Sequence, residues 1–94
     1  MLMLTENAVM VIRDLAAQQV TPQTAGIRIT ADESAGTFSI DTVSEPAPGD
    51  QIIEDLGARA FLDSDAARLL DDMTLDASIA DEGAIEFLIV RRPR

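Results

Sequence analysis

The chain contains neither cysteine nor histidine in 94 residues, and that double absence fixes what can hold it together. Without thiols there is no disulfide, no thiolate metal centre, no thiol nucleophile and no sulfur-ligated cluster. Without imidazole, the commonest general base and the commonest nitrogen ligand for transition metals are gone as well. A hydrophobic core must therefore do the folding. The composition supplies one: 47% of residues are hydrophobic and 26% charged, ordinary for a globular protein and too apolar for intrinsic disorder. A chain of this length is expected to form one domain, residues 1–94, that buries a little more than roughly 60% of its unfolded surface.

The charge balance narrows the partners. A net charge of −10 repels phosphate backbones and anionic lipid, so neither nucleic acid nor a membrane is an expected partner. No apolar run approaches the length of a membrane span, and the start MLMLTENAV lacks a basic region followed by an apolar stretch. The expected location is the cytoplasm. The seven basic residues are all arginine, which fits a GC-rich bacterial codon usage, and Arg91, Arg92 and Arg94 gather in a basic tail over residues 91–94. A solvated chain end explains the tail more simply than an acidic partner does.

The hydrophobic period divides the chain into helix and strand. Ala8, Val9, Ile12, Leu15 and Ala16 recur at helical spacing behind a capping Thr5, which predicts a helix over residues 6–19. The connection 20–26 carries Pro22 and Gly26. From Ile27 the period becomes two, with Ile27 and Ile29 opposite Arg28 and Thr30, and this strand is followed by a small acidic loop, 31–36. A second strand runs over 37–43, where Phe38 and Ile40 alternate with polar neighbours.

Pro46, Pro48 and Gly49 make residues 44–50 a loop, because proline cannot donate to a ladder. Strands over 51–55 and 58–63 are then joined by Leu56 and Gly57 as a tight hairpin. Asp63 or Ser64 caps a short helix through Leu70, and Asp71 and Asp72 mark its end. Leu75, Ala77 and Ile79 define a strand with one buried face, and residues 81–83 turn the chain. The last strand, 84–90, is apolar on both faces from Phe87 onward, which predicts a central strand. The expected class is α+β, strand-dominated and mixed. Its expected core is Ile27, Ile29, Phe38, Ile40, Leu75, Ile79, Ile85, Phe87 and Ile89, covered by Val9, Ile12 and Leu15.

Four segments, in order, carry a resemblance: LTENAV at 4–9, AGIRI at 25–29, SEPAPGD at 44–50 and DAARLLDDMTLD at 65–76. Together they resemble the HesB/IscA-like family of A-type iron–sulfur carriers, across about residues 4–90. That family opens with a Leu-Thr/Ser-x-x-Ala helix, sets a Gly-hydrophobic-Arg strand before its first ligand, and has a Glu-Pro-x-x-x-Asp turn before a hairpin. The resemblance implies a HesB-like domain of twisted sheets or pseudo-barrel form. Its cluster-carrying members have one cysteine in the loop after the Gly-hydrophobic-Arg strand and a Cys-Gly-Cys near the C-terminus. Here the loop position falls at Glu33 or Ser34, and the sequence reaches Arg94 with no such C-terminal motif.

The resemblance therefore implies a degenerate carrier with no cofactor, and the expected function is a non-enzymatic interaction or structural protein, still linked to iron–sulfur assembly proteins. An oxygen-ligand site for a hard divalent ion is the alternative, with Asp32 and Glu33 beside Ser34 as the candidate ligands. Adjacent side chains diverge, so a solvated turn is the stronger reading of those three. Asp63, Asp65, Asp71 and Asp72 read as caps and surface charge. No serine sits in a nucleophile elbow and no carboxylate pair sits in a recognisable motif, which leaves an unrecognised enzyme as the weakest reading. The two-faced last strand implies self-association, with Leu88 and Val90 as the contact residues.

Overall fold

The computed structural model describes residues 1–32 and 34–91. Thr5 starts the first helix as expected: its backbone is extended and its hydroxyl oxygen accepts a hydrogen bond from the Ala8 amide at 3.1 Å. The helix α1 runs over Glu6–Ala17 and ends two residues before the predicted position. Gln18 and Gln19 donate instead to the Leu15 and Ala16 carbonyls, three residues back, so the last turn tightens as it meets the connection. A short strand, β1, precedes it at Met3–Leu4.

The remaining elements follow in chain order as β2 (Gly26–Asp32), β3 (Thr37–Val43), β4 (Gln51–Asp55), β5 (Ala58–Leu62), α2 (Ser64–Leu69), β6 (Met73–Ile79) and β7 (Ile85–Arg91). They form two mixed sheets, one in the order β1-β6-β7 and one in the order β3-β2-β5-β4, and neither closes into a barrel. In the first sheet β1 and β6 are parallel and β6 and β7 antiparallel; in the second, β2 and β5 are the parallel pair. The class is α+β and strand-dominated, as the pattern requires.

Two close approaches depend on particular residues. A side chain at Gly26 would place a Cβ 2.3 Å from the Arg59 carbonyl oxygen, so β2 and β5 can meet there only through glycine. The β4–β5 hairpin turns through Leu56 and Gly57, both with positive φ, as a two-residue type I′ turn demands.

The core forms where α1 meets the inner faces of both sheets. Ala8, Val9, Val11 and Ile12 pack with Leu75 and Ala77 from β6, with Ile27 and Ile29 from β2, and with Ala60 and Leu62 from β5. Burying each large aliphatic side chain there contributes about 1.5–3 kcal/mol. Leu2 and Leu70 join the same cluster.

The predicted core is right at the sheet centres and wrong at the ends. Ile27, Ile29 and Leu75 are fully buried, whereas Ile79 and Ile85 are exposed and Ile40, Phe87 and Ile89 are half-buried. Phe38 also stands largely open, because β3 is an edge strand and the aromatic ring lies near the hairpin tip. The last strand is not central. β7 is the edge of its sheet, so its second apolar face, which carries Leu88 and Val90, is open and not covered by another layer. Arg91 belongs to this strand and not to a separate tail, while Arg92 and Arg94 lie outside the described residues.

Candidate functional site

The β2–β3 hairpin presents the loop at which the family resemblance would place a ligand. β2 runs on through Ala31 and Asp32, paired with Phe38 and Thr37, so the loop is shorter than the predicted 31–36. Asp32 organises the tip: its Oδ1 accepts from the Ser34 hydroxyl at 2.6 Å, the Ser34 amide at 3.1 Å and the Ala35 amide at 3.3 Å. The Gly36 amide closes the turn on the Asp32 carbonyl at 2.8 Å. Hydrogen bonds from the Ser34 hydroxyl first, and then the Ala35 amide, hold the Asp32 carboxyl below its ordinary pKa. The carboxylate thus serves its own turn. Glu33, the other candidate ligand, lies outside the described residues.

The remaining acids are dispersed. Asp63 caps α2 by accepting from the Ala66 amide at 2.8 Å, Asp65 faces Arg68 at 3.6 Å, and Asp71 pairs with the amino group of Met1. Among the described residues no three carboxylates come together to surround an ion. Beside the hairpin tip, Ala31, Asp32, Gly36, Thr37, Phe38 and Leu69 line an open groove of about 300 Å³ whose walls are mainly apolar.

Two polar links tie together the four segments that carry the resemblance. Arg28 in β2 donates from Nε to Asp50 Oδ2 at 2.9 Å and from its terminal nitrogen to Asp50 Oδ1 at 3.0 Å. Asp50 Oδ2 also accepts from the Ala47 amide at 2.9 Å, so one carboxylate shapes the proline loop and anchors it to the sheet. Chiefly through the Arg28 hydrogen bond, the Asp50 carboxyl is held below the usual range although burial opposes this, and Arg28 is raised in turn.

The second link joins the chain's beginning to β6. Thr5 donates its hydroxyl to Asp76 Oδ1 at 2.6 Å, and its amide to the Leu75 carbonyl at 3.0 Å. The Ala77 amide also donates to Asp76 Oδ1, at 2.9 Å. The Thr5 bond, followed by the Ala77 bond, lowers the Asp76 pKa. The residues that match the family pattern are thus the ones that lock the architecture. Sequence reasoning identified the segments but not these pairings, which span 22 and 71 residues.

The fold is found in known structures. The structure of SufA from Escherichia coli, involved in biosynthesis of iron–sulfur clusters, superposes with a TM-score of 0.79 at 29% identity, over 96% of this chain and 84% of that one. The chain has the HesB/IscA-like fold of the A-type iron–sulfur carriers. A structure of IscA with a [2Fe-2S] cluster also superposes, with a TM-score of 0.71 at 21% identity over 97% of this chain and 85% of that one. No protein-family model matches the sequence, and no curated protein does. On this carrier fold, the chain has Asp32 and Ser34 in a hydrogen-bonded turn at the hairpin tip and no thiol anywhere in its 94 residues. No described helix is long and apolar enough to cross a membrane.

Proposed function

We propose that this chain is a cluster-free protein on the A-type carrier fold, serving iron–sulfur assembly in the cytoplasm through protein–protein contact and not through a cluster or a reaction of its own. The observation that carries the reading is the carrier fold, over 96% of the chain, in a sequence without a single cysteine or histidine. Fold alone does not confer function, so the ligand chemistry decides between carrier and binding protein. Iron in sulfide clusters is held by thiolates, with imidazole as the occasional substitute, and neither group is available.

Two measurements test the proposal. Anaerobic incubation with ferrous iron and sulfide, followed by desalting, leaves a colourless protein, and a retained stoichiometric cluster overturns the cluster-free reading. Calorimetric titration against SufA, with an unrelated acidic protein as control, gives saturable heat for SufA alone. The absence of any difference between the two overturns the link to assembly.

A further inference from the structure

We propose that the outer surface of α1 and the tip of the β4–β5 hairpin form a docking site for a basic amphipathic helix of a partner protein, with Met10, Leu56 and Ile79 as its apolar contacts. The inference rests on the reading of the chain as a binding protein and names the surface that does the binding.

Leu56 is the residue that folding does not explain. It holds the first central position of the type I′ turn with a φ of 51°, a left-handed conformation in which a bulky side chain is crowded and asparagine or glycine is at ease. It is also 75% exposed, so no burial within the chain offsets that strain. Strain kept without a folding return points to a contact made outside the chain.

Leu56 belongs to a larger surface. Met10 stands on the outer face of α1, 63% exposed, and forms the ridge between two open, mainly apolar grooves. One, of about 310 Å³, runs from Met10 to Ala77 and Ile79; the other, of about 240 Å³, runs from Met10 to Leu4 and Leu56. Ile79, 61% exposed, continues the face of β6 that carries Leu75 and Ala77, past the point where those two are buried. The hairpin tip lies close against the helix, since a Cβ on Gly57 would sit 3.7 Å from Arg13 Nε.

The form of this surface selects its occupant. The amides of α1 are bonded within the helix, so recognition falls to side chains in grooves and not to strand pairing. A helix with apolar residues three and four positions apart can straddle the Met10 ridge and fill both grooves, and an unbranched methionine adapts to what it meets. Charge selects further. Glu6, Asp14 and Asp55 border the grooves against Arg13 alone, and none of the three acids makes a salt bridge among the described residues. A second copy would set these acids against their equivalents in a chain of net charge −10, whereas a helix with lysine or arginine around its apolar stripe satisfies both features.

Fluorescence anisotropy with a labelled synthetic peptide tests the site. The probe carries leucines at helical spacing and lysines elsewhere, and its controls are a scrambled peptide of the same composition and one with glutamates in place of the lysines. The probe binds saturably and both controls bind at least about tenfold more weakly. Leu56→Asn and Met10→Gln each weaken the probe by roughly tenfold, as loss of a central anchor does. Without peptide, Leu56→Asn melts no lower than the wild type, because asparagine accepts the left-handed turn, and a lower midpoint overturns the proposal. On the unsubstituted protein, methyl signals of Met10, Leu56 and Ile79 shift as the probe is added. Controls that bind as well as the probe, shifts confined to another face, or shifts that follow protein concentration alone and so make the occupant a second copy, each overturn the proposal. A probe bound here by a chain that gives no heat with SufA keeps the site and discards the link to assembly; heat with SufA and no binding of the probe keeps the link and overturns the site.

Discussion

Arg28 and Asp50 meet as a two-pronged pair, with Nε and a terminal nitrogen each donating to one carboxylate oxygen at 2.9 and 3.0 Å. The Asp50 side chain is only 2% exposed and that of Arg28 is 28% exposed, so the arginine is the route by which a nearly closed-off carboxylate keeps its charge. Removing the arginine strands that charge. Arg28→Ala is expected to destabilise by about 2–3 kcal/mol, the loss typical of a hydrogen bond to a charged group. Arg28→Met with Asp50→Leu should recover part of the loss, because an apolar replacement of both partners leaves no unpaired charge. Urea unfolding of the single and double variants, compared in a double-mutant cycle, measures the coupling.

The same pair sets the response to acid. Asp50 has a lower pKa folded than unfolded, chiefly through the Arg28 hydrogen bond. Its contribution is therefore fully present above the unfolded value of about 3.9 and is lost as pH falls through the lower folded value. Asp32 and Asp76 shift in the same direction, but Asp32 is exposed and Asp76 only half-buried, so they add less to the slope. The wild-type urea midpoint should stay level from neutrality to about pH 5 and fall below about pH 4. Asp50→Asn should start lower at neutral pH and fall less steeply in acid.

Thr5 performs three tasks with one residue: its oxygen caps α1, its hydroxyl donates to Asp76, and its amide reaches Leu75. Thr5→Ala removes the first two and should cost about 1 kcal/mol for the cap alone, within the range of about 0.5–2 for such substitutions. Thr5→Ser should retain most of the stability because it keeps the hydroxyl. Thermal unfolding of the two variants separates hydroxyl loss from loss of the methyl group. A serine variant as unstable as the alanine variant would assign the effect to packing.

The elements that local chemistry dictates were legible in the sequence. Asp63 caps α2, Leu56 and Gly57 turn the β4–β5 hairpin, and the acidic turn before β7 is built around Gly83, because each depends on residues a few positions apart. β1 was missed, since two residues carry no period and Met3–Leu4 is a strand only because β6 lies beside it. Four apolar residues running from Phe87 to Val90 look the same in sequence whether the strand is central or an edge. Only the strand order distinguishes them. At the candidate site, Ser34 lies in the loop as expected, whereas Asp32 is the last residue of β2 and organises the turn from there. Their hydrogen bonds follow from the turn, whereas the Arg28–Asp50 and Thr5–Asp76 links needed tertiary contact to become visible.

Phe61 and Phe87 separate what the hydrophobic pattern shows from what burial decides. Both lie in strands and both sit among apolar neighbours, yet Phe61 is 1% exposed while Phe87 is half-buried on the edge strand. Phe61 shares its face of the second sheet with Arg28, opposite which it pairs, while its neighbours Ala60 and Leu62 occupy the other face, and the predicted core does not include it. Phe61→Ala should cost about 3–5 kcal/mol, since the full ring leaves a cavity that the surrounding sheet cannot close. Phe87→Ala should cost about 1–3 kcal/mol, less than the large-cavity figure, because the ring already meets solvent on one side. Denaturant unfolding of the two variants gives the comparison. Equal losses at the two positions would mean that the edge strand is as well covered as the sheet interior.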